Sequence, residues 1–351
     1  MSLNLALLRW AFAAALTGIA AAPALAAEPY VIYLSNNFMG NDWRQQMVRS
    51  AEVSVKKGPL AGRVDLRIEQ AEGTVQAQIN SLNNIIRAKP NAILIDAASA
   101  SALNPTIRRA CDAGILVISF DQTVTEPCAF AIESDWNLIP RVLTEWTAEQ
   151  IGGKGNVIVD RGLAGAPISI ATTEATEEVF KKYPDIKIVG YFNSDYAPGP
   201  EQAGVAALLA ANPQVDAVAN MAYGTGAMQA LKDAGRPMVP INAFSFNGTA
   251  LACAQTEGAS CILGSNPPYL SSEAIRLAVE ILDTGKRPEE RHIVVKTDFF
   301  STHPFESKLF PGVVVRKIEI GKNAFPDLSP GLFIPVSPDW VEITPQEAAG
   351  K

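Results

Sequence analysis

Short apolar runs alternate with amphipathic stretches along this chain, and this alternation constrains its fold more than any other feature. In the first third of the chain, β-rich runs are separated by segments whose apolar residues recur at helical spacing. The predicted strands are Tyr30–Leu34, Val64–Ile68, Ala92–Ile95 and Ile115–Phe120, and the predicted helices are Trp43–Lys57, Thr74–Ala88 and Ala102–Ala113. Apolar strands separated by helices are typical of a parallel sheet covered on both faces. The pattern predicts a doubly wound α/β unit.

The same pattern restarts further along the chain and predicts a second unit. Its predicted helices are Leu138–Ile151, Ser169–Lys182, Glu201–Ala211 and Gly226–Ala234, and its predicted strands are Asn156–Val159, Ile186–Tyr191, Val215–Ala219 and Met238–Ala243. One further helix, Ser271–Asp283, and one strand, His292–Lys296, are too few for a third domain. We therefore expect them to complete two existing lobes, with the chain crossing between the lobes more than once. The Pro- and Gly-rich chain from Phe310 onward is expected to lie irregularly on a lobe surface.

The N-terminus has the pattern of a secretory signal peptide. Arg9 precedes a short apolar run, Trp10–Ala22, and the small-x-small sequence Ala24-Leu25-Ala26 follows it. An uncleaved anchor is the alternative, although the run is shorter than the roughly 20 apolar residues of a membrane span. We predict a signal peptide at 1–26, a first lobe from 27–132 plus 268–294, and a second lobe from 133–267 plus 295–351. The mature protein is expected in the periplasm.

The cysteines and the charge restrict the classes of site. Export to an oxidising compartment and proximity in sequence favour the disulfides Cys111–Cys128 and Cys253–Cys261. Other pairings, and four free thiols, stay open at this point because sequence alone cannot choose. No CxxC is present and neither histidine is near a cysteine, so neither a metal site nor a cofactor is expected. A net charge of −7 without a basic block excludes a nucleic-acid partner.

Polar and aromatic side chains follow the first predicted strand. Asn37, Phe38, Asn41 and Trp43 lie together in one loop. In doubly wound sheets, ligands bind beyond the carboxyl ends of the strands. Amides both donate and accept hydrogen bonds, which suits vicinal hydroxyl groups, and an aromatic face can pack against a sugar ring. The alternative is that the polar residues form turns and caps, Asp42 above all, while the aromatic residues belong to the core.

Other strand ends carry the remaining candidates. Asp121 and Gln122 follow the fourth strand, and no Lys or Arg stands beside the carboxylate in sequence. A buried carboxylate needs hydrogen-bond donors, which a polyol would supply. The alternative for Asp121 is a helix cap or an ion pair with a distant arginine. Later strand ends contribute Arg161, Tyr196, Tyr223, Asn247 and Asn266.

At these residues the sequence resembles the periplasmic sugar-binding proteins of ABC importers, of the ribose- and galactose-binding type. The resemblance lies in Ser35-Asn36-Asn37-Phe38, Ile115–Asp121, Gly162-Leu163-Ala164-Gly165, the stretch from Asn212 to Val218, and Phe246-Asn247-Gly248-Thr249. It implies two doubly wound parallel-sheet lobes joined by a multi-strand hinge, the type I periplasmic binding protein fold. Its first-loop and strand-end binding positions fall at or near Asn37, Phe38, Asn41, Trp43, Asp121, Tyr196, Tyr223 and Asn266.

Three positions depart from the ribose-type pattern. Gln122 replaces the arginine that usually follows the strand-end aspartate, Thr172–Glu174 occupies the place of another arginine, and Asn247 replaces the last aspartate. These departures argue against ribose itself and leave a neutral polyol or aldose.

The resemblance implies capture of a monosaccharide or sugar alcohol by hinge closure and its delivery to the membrane permease of an ABC importer, by a protein that we expect to be monomeric. A sensing module for a membrane receptor, or a binder of another small polar solute, is the alternative. An enzyme is not expected. The first strand lacks a Gly-rich turn, no GxSxG or Walker A pattern occurs, and His292 and His303 have no acid or nucleophile nearby in sequence.

Overall fold

The computed structural model describes residues 28–165, 167–220 and 222–351. The predicted signal peptide at 1–26 lies outside the described residues. The strands are β1 (Tyr30–Asn36), β2 (Val64–Gln70), β3 (Ala92–Asp96), β4 (Leu116–Phe120), β5 (Phe130–Ser134), β6 (Lys154–Asp160), β7 (Asp185–Phe192), β8 (Ala217–Ala219), β9 (Pro240–Phe244), β10 (Ser260–Gly264), β11 (His292–Val295), β12 (Phe299–Ser301) and β13 (Val315–Lys317). The helices are α1 (Asp42–Ser54), α2 (Val75–Ala88), α3 (Asn104–Asp112), α4 (Leu138–Gln150), α5 (Pro167–Phe180), α6 (Pro198–Ala211), α7 (Thr225–Asp233), α8 (Asn247–Gln255), α9 (Leu270–Thr284) and α10 (Pro345–Ala349).

The first lobe is built on a parallel sheet in the order β11-β5-β4-β3-β1-β2. Because successive side chains in a strand point to opposite faces, β3 has apolar residues on both sides. Leu94 packs with α1 and α9, whereas Ile93 and Ile95 pack with α2 and α3. This two-sided core explains why β3 and β4 consist almost entirely of buried apolar residues.

The second lobe repeats this arrangement with the strand order β13-β12-β10-β9-β8-β6-β7. Its pairs are parallel except β10 with β12, which is antiparallel. Ile158 and Val218 pack with α6 and α7, while Val157 and Val159 face Phe180 of α5 on the other side. The prediction of two doubly wound lobes is confirmed.

Within the described residues the chain passes between the lobes after β5, after β10 and after β11. These connections, at 135–137, 265–269 and 296–298, form the multi-strand hinge. The predicted boundary between the lobes, at 132/133, falls inside β5, which the sequence pattern did not predict as a strand. The added strand β5 contains Glu133 and follows a Pro- and Cys-containing loop, so its short apolar run did not stand out in the sequence.

Both predicted disulfides are present. Cys111 is joined to Cys128 with an Sγ–Sγ distance of 2.08 Å, and Cys253 to Cys261 with a distance of 2.16 Å. The first links α3 to the chain before β5, and the second links α8 to β10. The sequence prediction missed α8, whose Gly248 and Thr249 have low helix propensity, and it missed the short strand β10.

Residues 318–351, called the C-terminal tail below, contact both lobes rather than lying on the surface of one. In the second lobe, Asn247 Nδ2 donates to the carbonyl oxygens of Phe325 (2.9 Å) and Ser329 (3.0 Å). In the first lobe, Gln46 Nε2 donates to the Phe333 carbonyl at 3.0 Å, and the Phe333 N–H donates back to Gln46 Oε1 at 2.8 Å. The chain from Phe310 onward is irregular as expected, apart from β13 and α10, but it contacts both lobes rather than the surface of one. The assignment of 295–351 to the second lobe stays a prediction.

None of the helices in the described ranges is long and apolar enough to cross a membrane.

Candidate ligand-binding site

A cleft of about 460 Å³ lies between the two lobes, where the carboxyl ends of their strands face each other. This is the edge at which doubly wound sheets bind ligands, and the volume is in the range of small-molecule sites. The first lobe, the hinge, the second lobe and the C-terminal tail all contribute side chains. The lining residues are Phe38, Asn41, Asp42, Trp43, Arg44, Asp121, Gln122, Trp136, Leu163, Ile168, Tyr196, Ala222, Tyr223, Phe244, Phe246, Asn266 and Phe333.

Most residues predicted from the strand ends meet in this cleft. They are Phe38, Asn41, Trp43, Asp121, Gln122, Tyr196, Tyr223 and Asn266. They follow five different strands, so the topology brings together residues that lie up to 228 positions apart in sequence, from Phe38 to Asn266.

The other predicted residues, Asn37, Arg161 and Asn247, do not line the cleft. Asn37 is buried, and its Nδ2 donates to the Ala97 carbonyl at 3.1 Å. Arg161 is exposed, and its guanidinium stacks on the Tyr191 ring, 3.6 Å from the ring centroid. Asn247 is fully buried, and its amide holds the C-terminal tail. These residues make contacts within the protein outside the cleft, and their role in ligand binding stays a prediction.

Asp121 has a cationic neighbour that its sequence context did not reveal. Arg44, on α1, lies with Nη2 4.0 Å from Asp121 Oδ2 and forms an ion pair with the fully buried Asp96. Burial raises the pKa of Asp96 well above its usual range, and the charge of Asp121 adds to this rise, whereas Arg44 opposes it. The distant ion pair that was the alternative reading of Asp121 is present. It leaves room for a ligand, because a carboxylate accepts about four hydrogen bonds.

The protein's own contacts to Asp121 are few. Asn266 Nδ2 donates to Oδ1 at 3.1 Å, and Gln122 Nε2 donates to Oδ2 at 3.4 Å. Asn266 is itself oriented by Ser134, whose hydroxyl donates to Asn266 Oδ1 at 2.7 Å. The Asn266 backbone carbonyl accepts from Trp43 Nε1 at 2.8 Å. This network fixes the carboxylate at the junction between the first lobe and the hinge.

The backbone around the cleft adopts a conformation that L-residues rarely use. Asp121, Asp195 and Tyr196 have φ values of 56°, 48° and 53°. Such left-handed non-glycine residues are uncommon, and they concentrate at functional sites. Tyr196 is held there by a hydrogen bond of 2.5 Å between its hydroxyl and Ser169 Oγ.

Some residues predicted in the loop after β1 have structural roles, and others are exposed to the cleft. Asn41 is the N-cap of α1, since its Oδ1 accepts from the Arg44 N–H at 2.9 Å, so the cap expected at Asp42 belongs to its neighbour. Trp43 is only 7% exposed and packs mainly in the first-lobe core. Phe38 is 36% exposed at the mouth of the cleft, with the Arg44 guanidinium 5.0 Å from its ring centroid.

Several lining residues were not predicted. Leu163 follows β6 and Phe244 is the last residue of β9, so reading every strand end would have found them. Asp42, expected from the sequence to form a turn or cap, also lines the cleft. Arg44 lies inside a helix and Phe333 in the C-terminal tail, and neither position carries a local signal. Among the residues that the structure describes, no three His, Cys, Asp or Glu side chains are grouped so that they could hold a metal ion.

Comparisons with known proteins place the chain among binding proteins. The sequence model of the periplasmic binding protein domain matches residues 32–287. A xylitol-binding protein of Mycolicibacterium smegmatis is 28% identical over 188 residues, which cover 52% of this chain and 53% of that protein. A galactofuranose-binding protein of Escherichia coli is 25% identical over 199 residues, which cover 53% of this chain and 62% of that protein. The chain thus spans a little over half the length of these two curated relatives.

A solved structure agrees with the fold. The solute-binding protein of an ABC transporter from Thermobispora bispora superposes with a TM-score of 0.63 and 29% identity, covering 76% of this chain and 83% of that one. The family match covers well over half of the chain, and the two parallel-sheet lobes with an interlobe cleft are the architecture of the type I members. The chain therefore belongs to the periplasmic binding protein family.

Proposed function

We propose that the protein captures a monosaccharide or sugar alcohol in the interlobe cleft and delivers it to the membrane permease of an ABC importer. The observation that carries this proposal is the composition of the cleft, where a carboxylate and amides stand opposite aromatic rings. Asp121, Gln122 and Asn266 present acceptors and donors on one side, and Tyr223 presents an aromatic face on the other. Hydroxyl groups and a C–H face on one small molecule match this arrangement.

The proposed mechanism is closure of the lobes about the hinge. The ligand contacts both lobes only when they approach each other, so it binds the closed state better and shifts the population toward it. The three hinge connections allow such a motion because few residues must change their backbone angles. A permease would recognise the closed form. The proposal places the mature protein in the periplasm as a monomer, after removal of residues 1–26.

The relatives support this ligand class. The names of the two curated relatives state that they bind xylitol and galactofuranose, a sugar alcohol and a sugar. Both are neutral and polyhydroxylated, in agreement with an Asp121 carboxylate that can still accept hydrogen bonds. The relatives are binding proteins, and the proposal assigns this chain no catalytic step.

A thermal-shift screen tests the proposal. Purified chain from residue 27 onward is melted with pentoses, hexoses, sugar alcohols and neutral amino acids. A ligand that binds only the native state at 100 times its Kd stabilises the fold by about 2.7 kcal/mol, so a specific sugar or polyol should raise the Tm clearly. Stabilisation by amino acids alone would refute the ligand class, and a ligand that is returned chemically altered would refute the binding role.

Tyr223→Ala and Arg161→Ala form a matched pair for locating the site. Tyr223 lines the cleft, whereas Arg161, which also follows a strand of the second lobe, lines a neighbouring surface depression instead. By calorimetry, Tyr223→Ala should weaken binding of the stabilising ligand by about tenfold or more, and Arg161→Ala should leave the Kd unchanged. The opposite pattern would move the site to the depression beside Arg161.

A further inference from the structure

The two walls of the cleft differ in chemistry, and this difference bears on which sugar or polyol derivative the site accepts. The first-lobe wall carries Asp42, Arg44, Asp121 and Gln122. Among the described second-lobe residues that line the cleft, none is charged, and none is an amide. They are Leu163, Ile168, Tyr196, Ala222, Tyr223, Phe244 and Phe246.

The second-lobe wall is held rigidly by aromatic packing. The rings of Tyr223 and Phe246 stack with centroids 3.9 Å apart at an interplanar angle of 14°. Phe246 also contacts Phe333 of the C-terminal tail, with ring centroids 4.1 Å apart. Gln46 fixes the backbone of Phe333 through its two hydrogen bonds. The wall is thus preformed and supported from both lobes.

The polar side-chain groups of this wall are the hydroxyl groups of Tyr196 and Tyr223. The Tyr196 hydroxyl is committed to Ser169 Oγ at 2.5 Å. Leu163 is 46% exposed, and its apolar side chain lines both the cleft and the neighbouring depression beside Arg161. Tyr223 contributes a partly exposed ring rather than a charged group. A ligand hydroxyl group pressed against the aliphatic part of this wall, Leu163 and Ile168, would therefore lose water without gaining a side-chain partner.

The free-energy cost of burying a ligand hydroxyl group without a hydrogen-bond partner is large enough to discriminate between ligands. An unsatisfied buried hydroxyl group weakens binding roughly tenfold, whereas each buried methylene strengthens it about fourfold. One aromatic ring is enough to stack on the C–H face of a free sugar. The wall, however, also contains the aliphatic side chains of Leu163 and Ile168, which cannot form a hydrogen bond with a ring hydroxyl group.

We propose that the physiological ligand is a sugar or polyol derivative with an apolar portion, either a deoxy carbon or an alkyl or aryl substituent, which lies against the second-lobe wall while its hydroxyl groups face Asp121 and Gln122. This inference rests on the proposed function, since it names the ligand class of the same cleft. It separates this chain from binders of fully hydroxylated sugars, whose two walls both need hydrogen-bonding groups.

Calorimetric titration of matched pairs tests the inference. The pairs are D-galactose with D-fucose, L-mannose with L-rhamnose, and D-galactose with phenyl β-D-galactopyranoside, and xylitol is included as a fully hydroxylated polyol. In every pair that shows binding, the deoxy or phenyl member should bind at least fivefold more tightly than its hydroxylated partner, and at least one such member should bind more tightly than xylitol.

Leu163→Asn and Ile170→Asn provide the matched variants. Both replace an exposed aliphatic side chain near the start of the second lobe, and only Leu163 lines the cleft. Leu163→Asn should reduce the preference for the deoxy or phenyl member at least threefold, and Ile170→Asn should leave it unchanged. Equal or tighter binding of the hydroxylated partners or of xylitol, or a preference unaffected by Leu163→Asn, would overturn this inference and leave the proposed function standing. Absence of binding by every compound would overturn the proposed function, and this inference with it.

Discussion

Replacing Arg44 with methionine removes the cation beneath the cleft. The Arg44 side chain is 5% exposed, it pairs with the fully buried Asp96, and its Nη1 donates to Asn36 Oδ1 at 2.6 Å. Methionine keeps most of the apolar stem of the side chain but lacks the guanidinium group, so Asp96 loses its counter-charge and Asn36 Oδ1 loses its donor. The substitution therefore removes the charge and the hydrogen bonds of Arg44 while an apolar side chain still fills part of the space.

The expected loss follows from the burial of Asp96. Removing one partner of a buried ion pair costs about 3–5 kcal/mol, because an unpaired charge is left behind. Burial already raises the pKa of Asp96, so in the variant this group can take up a proton instead of keeping its charge. We therefore expect Arg44→Met to lower the free energy of unfolding by about 3 kcal/mol at neutral pH, the low end of that range, and by less at acidic pH.

Urea unfolding of Arg44→Met, Asp96→Asn and the double variant measures this contribution as a double-mutant cycle. The double variant should be at least about 1 kcal/mol more stable than Arg44→Met alone, since it no longer buries an unpaired carboxylate. A loss below about 1 kcal/mol for Arg44→Met, or a double variant no more stable than the single one, would refute the reasoning.

Three further outcomes are expected. Asp121→Asn should weaken sugar or polyol binding by about 2–4 kcal/mol in calorimetry, because hydrogen bonds to a charged acceptor are lost, and a Kd within threefold of wild type would show that Asp121 does not bind the ligand. Burial raises the pKa of Glu201 from 4.5 to about 7, so the native state binds the proton more tightly and stability should fall as the pH rises from about 4.5 to about 7. Between melts at pH 5 and pH 8 the wild type should lose about 3 kcal/mol of stability, and Glu201→Gln should lose less. An equal loss in the variant would contradict the raised pKa of Glu201. Reduction of Cys111–Cys128 and Cys253–Cys261 by dithiothreitol should cost about 2–4 kcal/mol each, and an unchanged Tm would count against a stabilising role.

The fold could be predicted from the sequence because its signals are local. Buried strands such as β3 and β4 are nearly continuous apolar runs, and the helices between them have helical apolar spacing, so each element could be recognised in a short window. The strands that were missed, β10 and β12 among them, are short and lie between residues with weak strand preference.

The site could be predicted only in part, because some of its contacts are long-range. Tyr223 and Asp121 were found because they follow strands, and the topology aligns strand ends. Arg44 reaches Asp121 from a helix 77 positions earlier in the chain, and nothing in either local sequence indicates this contact. Asn247 follows a strand as well, yet its amide holds the C-terminal tail, which no strand-end rule anticipates.

A crystal structure of the chain from residue 27 onward, grown with the sugar or polyol that binds most tightly, tests the central claim most directly. The account predicts ligand density in the interlobe cleft, with a hydroxyl group within about 3 Å of an Asp121 carboxylate oxygen and ligand carbon atoms packed on the Tyr223 ring. Density at another place on the molecule, or a ligand in the cleft that contacts only one lobe, would contradict it.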